Sequence, residues 1–160
     1  MSDNFLRFVP TDPEVLPDPA STAGARDMVA ERLSRADAVE VGRFNSVQFI
    51  DCGGNFESVR CPSCRADLLP DGVWTRLMDQ AWDSGMSRRS FTLACCGARH
   101  ALEELDYCWP VAFGRFSIDV RNPDVAWFHP DRELGYEERE LLSDLSSRLG
   151  TEVTAIWQHI

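Results

Sequence analysis

Apolar and polar positions in the first third of the chain follow two periodicities, and both predict regular structure. Residues 5–9 form a short β-type run, and residues 39–50 carry the β-branched and aromatic side chains of a second strand. Between them, apolar residues recur at the spacing of an amphipathic helix: Ala25, Met28, Val29, Leu33 and Ala36. Ser21 or Thr22 is the expected N-cap, because the proline-rich stretch before them cannot continue a helix.

The last third of the chain repeats this order of elements. Residues 115–121 alternate between polar and apolar side chains, the period of a strand with one buried face. An amphipathic helix follows, and Gly150 is expected to end it. Its apolar positions are Leu134, Leu141, Leu142, Leu145 and Leu149. Residues 152–160 predict a final strand.

Two strand-helix-strand units predict the α+β class. More narrowly, they favour the split βαβ, ferredoxin-like plan, in which two helices cover one face of a four-stranded antiparallel sheet. Neither unit can bury its apolar faces alone, so residues 1–55 and 111–160 are expected to form one domain. Residues 56–110 would then be a module inserted between the second and third strands of the sheet.

The inserted residues contain two cysteine pairs that indicate a metal site. Cys61 and Cys64 flank Pro62 and Ser63, a Cys-x-x-Cys turn that directs both sulfurs toward one point, and Cys95 and Cys96 can complete a thiolate cage. Adjacent cysteines bind one ion only if the backbone turns after them, which Gly97 permits. The pattern predicts one structural Zn²⁺ with Cys61, Cys64, Cys95 and Cys96 as ligands, in a zinc-ribbon-like insertion that also carries a helix at residues 72–84.

Other ligand sets and other chemistry stay open for these cysteines. His100 can replace Cys95 or Cys96, which gives a three-cysteine, one-histidine site. The two pairs can also stay free of metal and act as a thiol redox site, although the first pair does not open a long helix after a strand.

Catalysis at the metal has weaker support in the sequence. A catalytic zinc needs an open coordination position and a nearby acid or base, a role that Glu103 or Glu104 could take. Glutamates in this pattern are more typical of the solvated side of a short helix. Cys52 and Cys108 are expected to pack as small apolar residues.

Charge and composition exclude several classes of protein. The 160 residues carry 16 basic and 26 acidic side chains, a net charge of −10, which opposes general binding to nucleic acid. Every basic residue is Arg, so no lysine can act as a P-loop residue, a base or a Schiff-base former. No apolar run suits a membrane span or a signal peptide, so we expect a cytoplasmic protein without membrane contact.

The five tryptophans have two possible uses. Trp109 and Trp127, together with Trp74, Trp82 and Trp157, can form an aromatic binding surface, but core packing is the more common use of such residues. His129 and His159 are isolated in the sequence. No partner motif makes either of them a general base.

Several motifs together resemble a family of small uncharacterised bacterial zinc-ribbon-containing proteins. They are Cys61-Pro-Ser-Cys64, Cys95-Cys96-Gly97-Ala98, the Leu-rich short helix expected at residues 102–105, Tyr107-Cys-Trp109-Pro110 and Phe113-Gly-Arg-Phe116. The resemblance covers the middle and C-terminal two thirds of the chain. It implies Cys61, Cys64, Cys95 and Cys96 as the ligands, leaves His100 outside the pattern and implies no activity.

These observations lead to a functional expectation. We expect a zinc-binding structural protein, an accessory or regulatory subunit that acts by contact with another protein and has no catalytic residues. An immunity-type protein that neutralises a basic toxin through its acidic surface is one alternative. A thiol redox protein that uses the two cysteine pairs is the other.

Overall fold

The computed structural model describes residues 2–160. The strands are β1 (Asn4–Pro10), β2 (Ala38–Ile50), β3 (Ser58–Arg60), β4 (Ser90–Thr92), β5 (Arg99–Ala101), β6 (Asp106–Cys108), β7 (Ala112–Arg121) and β8 (Val153–His159). The α-helices are α1 (Pro19–Arg32), α2 (Val73–Asp83) and α3 (Tyr136–Leu149). The predicted α+β class is confirmed.

The four longest strands form one antiparallel sheet in the order β2-β7-β1-β8. Phe8 of β1 lies opposite Ile118 of β7 on one side and Ala155 of β8 on the other. Helix α1 connects β1 to β2, and α3 connects β7 to β8. Both helices contribute to one core with a single face of the sheet. Its fully buried members are Leu6, Phe8, Ala25, Val29, Phe116, Ile118, Val120, Leu141 and Leu145.

Helix α1 begins earlier than the sequence predicts, and its predicted N-cap is wrong. Asp18 is the N-cap, and its carboxylate accepts hydrogen bonds from the Ser21 N–H at 2.9 Å and the Ser21 hydroxyl at 2.6 Å. Pro19 follows at the first helical position, where its fixed φ suits a helix and its missing N–H costs nothing. The proline therefore starts the helix, and Ser21 and Thr22 lie inside the first turn.

Residues between β2 and β7 form a second core. It comprises the two-stranded ribbons β3-β6 and β4-β5, helix α2, and the ends of β2 and β7. Val47 and Phe113 from those strand ends are buried in it. The β2-β7 pairing shifts register between Arg43 and Gln48, so the same two strands serve the sheet before the shift and the second core after it.

A strap, residues 125–129 between β7 and α3, crosses the main core. Phe128 is buried with a φ of +60° and packs edge-on against Phe8 at 5.7 Å. The buried carboxylate of Glu138 fixes this conformation by accepting hydrogen bonds from the backbone N–H of Phe128, from Arg132 at 2.7 Å and from the Gly135 N–H at 3.1 Å. Burial opposes ionisation of Glu138, but these donors outweigh it and hold its pKa below the usual value.

Among residues 2–160, no helix combines the length and the apolar character that a bilayer span requires.

The Glu138→Gln variant tests this anchor. We expect the free energy of unfolding to fall by about 1–3 kcal/mol at pH 7, because buried donors lose a charged acceptor. The folded-state pKa lies below the unfolded value, so the contribution of the carboxylate is complete above about pH 5 and disappears as the pH falls through the folded pKa. Urea unfolding of both proteins from pH 7 to pH 3 measures the difference.

The exposed neighbour Glu137 provides the control, and Glu137→Gln should leave stability within about 0.5 kcal/mol of the parent. A stability difference between Glu138→Gln and the parent that does not change with pH would show that the carboxylate charge is not what anchors the strap.

Candidate metal centre

Four cysteine sulfurs converge at the junction of the two small ribbons. The Sγ atoms of Cys61, Cys64, Cys95 and Cys96 all lie within 4.8 Å of one another, with 3.7 Å between Cys61 and Cys96 and 4.0 Å between Cys95 and Cys96. All four are free thiols. Tetrahedral zinc with Zn–S bonds near 2.3 Å requires sulfurs about 3.8 Å apart. The spacing therefore suits a tetrahedral thiolate-bound metal ion.

The first pair lies on a tight turn that follows β3. The Cys61 N–H donates to the Ala66 carbonyl at 2.9 Å, and the Arg65 N–H donates back to the Cys61 carbonyl at 2.9 Å. Arg65 closes the turn with a φ of +66°. This backbone curls around the first cysteine, so that Cys61 is buried while Cys64 remains at the surface.

The second pair lies on a turn with the same hydrogen bonds. The Leu93 N–H donates to the Ala98 carbonyl at 2.9 Å, and the Gly97 N–H donates to the Leu93 carbonyl at 2.8 Å. Gly97 has a φ of +75°, as the predicted turn requires. Residue for residue, Leu93 corresponds to Cys61 and Cys96 to Cys64.

This correspondence explains the adjacent cysteines. The first ligand position of the second turn is occupied by Leu93, which is buried and has no sulfur, and Cys95 supplies the fourth sulfur from a position two residues later. The sequence pattern alone did not identify Leu93 as the counterpart of Cys61. Aligning residues 61–66 with residues 93–98 would have revealed it, since both segments end in Cys, a residue with positive φ, and Ala.

His100 takes a different position from the one that the alternative ligand set requires. It is absent from the group of converging ligand atoms. Its Nε2 instead lies 2.7 Å from the Ser63 hydroxyl, and its Nδ1 lies 3.8 Å from the Glu104 carboxylate. The imidazole thus connects β5 to the first cysteine turn.

The two glutamates near this site have structural partners. Glu104 accepts a hydrogen bond from the Ala101 N–H at 2.7 Å, which caps the short 3-10 turn Leu102–Glu104. Glu103 is half-buried and pairs with Arg89 at 3.4 Å. Glu104 is therefore a capping residue and Glu103 an ion-pair partner, although the second carboxylate oxygen of Glu103 is buried without a hydrogen-bond partner.

Cys61 and Cys95 differ in acidity when no ion is present. Loss of solvation opposes ionisation of Cys61, but the backbone N–H groups of Cys64 and Ser63 and the thiols of Cys64 and Cys96 lower its pKa to about 6. Loss of solvation and contact with the other thiols raise the pKa of Cys95 to about 12. The Cys61 thiolate is therefore favoured and that of Cys95 disfavoured, and a bound cation would favour the ionised form of Cys95.

The two other cysteines lie outside the cluster. Cys52 is fully buried, its Sγ lies 3.9 Å from the Trp109 carbonyl, and burial raises its pKa to about 11. Cys108 is half-buried, 3.5 Å from the Glu57 carboxylate, and desolvation followed by this carboxylate raises its pKa. Both shifts disfavour the thiolate form.

Neither a family model nor a curated protein nor a solved structure matches this chain.

Proposed function

We propose that this chain is a structural zinc protein that acts by contact with another protein, as an accessory or regulatory subunit. The observation that carries the proposal is the group of four converging cysteine sulfurs. Four thiolates are a zinc ligand set, and a site with four protein ligands leaves no open position for a substrate. The role of the metal is to hold residues 56–110 in shape.

We also propose the split βαβ, ferredoxin-like plan with a zinc-ribbon-like insertion, and membership of the family of small bacterial zinc-ribbon-containing proteins. The strand order β2-β7-β1-β8 and the placement of α1 and α3 support the first. The second core between β2 and β7 supports the insertion. The paired turns at residues 61–66 and 93–98 support the family resemblance.

Helix α2 offers the contact surface. Trp82 is 69% exposed, and it borders a groove of about 260 Å³ with Phe49, Met78 and Met86. An exposed indole beside flexible methionines is typical of the residues that dominate protein interfaces. Since α2 packs in the core that contains Cys61, the metal site would fix the position of this surface.

Metal content is the first test. Protein purified without added zinc should carry one zinc ion per chain, and a strong chelator should unfold residues 56–110, because structural zinc supplies about 10 kcal/mol of folding free energy in small modules. Elemental analysis and near-UV circular dichroism measure both effects. A folded, metal-free chain whose thiols cycle reversibly at a defined potential would instead establish the redox alternative.

A ligand transfer tests the equivalence of the two turns. Cys95→Ser should weaken zinc binding by at least about 100-fold, beyond the loss typical of outer-shell substitutions. Adding Leu93→Cys should restore binding, because it creates a regular Cys-x-x-Cys turn that matches residues 61–64. Competition with a chromogenic chelator measures both affinities.

Cys108→Ser, outside the cluster, is the matched control and should bind zinc like the parent. The equivalence is rejected if the double variant binds zinc no better than Cys95→Ser while remaining folded.

The contact surface is tested by Trp82→Ala in capture experiments from the native cell. We expect the partner that the parent protein captures to bind more than about 30-fold more weakly, since hot-spot residues contribute 2 kcal/mol or more. Tyr136→Ala is the control, because Tyr136 is 70% exposed on the separate helix α3. Equal loss in both variants, or loss in the control alone, would exclude α2 as the contact surface.

A further inference from the structure

A cleft of about 310 Å³ opens where the inserted residues meet the sheet. Three of the five tryptophans line it: Trp109 from the end of the insertion, Trp127 from the strap and Trp157 from β8. These residues are distant in sequence and only partly buried, so the core does not account for all of their surface. The volume lies at the lower end of the range of small-molecule sites.

The walls of the cleft are fixed before any ligand arrives. The Trp157 indole N–H donates to the Trp127 carbonyl, and Arg132 donates to the Ala126 carbonyl at 2.8 Å. Phe128 and Glu138 anchor the same strap from the other side. On the opposite wall, the Trp109 ring meets the His129 ring edge-on at 4.8 Å. A preformed site avoids the ordering cost of binding.

Four polar side chains also line the cleft: Asn4, Asn55, His129 and His159. A hydrogen bond of 2.6 Å joins His159 Nδ1 to the Asn4 amide oxygen, and His129 Nδ1 accepts the Asp131 N–H at 3.3 Å. The Nε2 atom of each imidazole is left for other partners. Within residues 2–160, the Asn55 amide and the indole N–H groups of Trp109 and Trp127 make no hydrogen bond.

This lining narrows the class of ligand. No arginine or carboxylate lines the cleft, and the chain carries a net charge of −10, which disfavours phosphorylated and other anionic ligands. The indole rings alone would attract an organic cation, but a cation would leave the amide and imidazole groups of the cleft without a hydrogen-bond partner. A neutral ring with hydroxyl groups uses both features, because its C–H face packs on indole and its hydroxyls bond to amide and imidazole.

We propose that the cleft binds a neutral sugar ring, which the indoles of Trp109, Trp127 and Trp157 contact and which Asn55 and His129 hydrogen-bond. This site is separate from the metal centre and from the exposed surface of α2. It would give the protein a small-molecule ligand that is independent of the proposed protein contact.

Indole N–H signals in ¹⁵N nuclear magnetic resonance spectra test the proposal directly, because each of the five tryptophans gives its own signal. The probes are the methyl glycosides of glucose, galactose, mannose and N-acetylglucosamine, with choline and adenosine as rivals. We expect at least one glycoside to shift the signals of Trp109, Trp127 and Trp157 and to leave those of Trp74 and Trp82 unchanged. Trp82→Phe assigns one of the two reference signals.

Two variants test the hydrogen bonds. Asn55→Ala and His129→Ala should each raise the dissociation constant of that glycoside at least tenfold, and Tyr136→Phe, a substitution outside the cleft, should leave it unchanged. Binding of choline or adenosine without any glycoside would overturn the ligand class. The absence of shifts with every probe would overturn the site, and unchanged affinity in both variants would overturn the assigned contacts.

Discussion

The convergence of four sulfurs on one point is the constraint on which the middle of this protein depends. Strands β3 to β6 each span only three residues, too few for an isolated two-stranded ribbon to be stable in water. The cysteine turns join one ribbon to the other, and the buried Cys61 places this junction against the second core. If these turns separated, α2 would lose the ribbon residues against which it packs in the second core.

One continuous pair of strands, β2 and β7, contributes to both hydrophobic cores. Before the register shift, β2 and β7 belong to the four-stranded sheet under α1 and α3. After it, their ends contribute Val47 and Phe113 to the second core. The cysteine cluster and the core that contains α2 are therefore joined to the four-stranded sheet through the continuous, hydrogen-bonded strands β2 and β7.

Much of this architecture follows from local sequence patterns. The two-residue period of β7 and the leucine spacing of α3 predict their elements, and the end of α3 at Gly150 follows from the φ of +68° that glycine adopts easily. The four cysteines that converge are those that the sequence predicts. The strand and the helix are predictable because each depends on residues close together in the chain, and the cysteine cluster is predictable because two local cysteine pairs are a common zinc ligand set.

Other features depend on residues that are distant in the chain. Leu93 takes the position of a ligand cysteine, which becomes visible only when residues 93–98 are compared with residues 61–66, and the shared hydrogen bonds of the two turns support the comparison. The cleft is lined by three tryptophans whose positions follow no periodicity in the sequence. Two histidines that are isolated in the sequence, His129 and His159, also line it.

X-ray absorption spectroscopy at the zinc edge decides whether four cysteines bind the metal, because it counts the sulfur and nitrogen atoms around the metal. We predict a single shell of four sulfurs at about 2.3 Å. A mixed shell of three sulfurs and one nitrogen would contradict it and would restore His100 as a ligand.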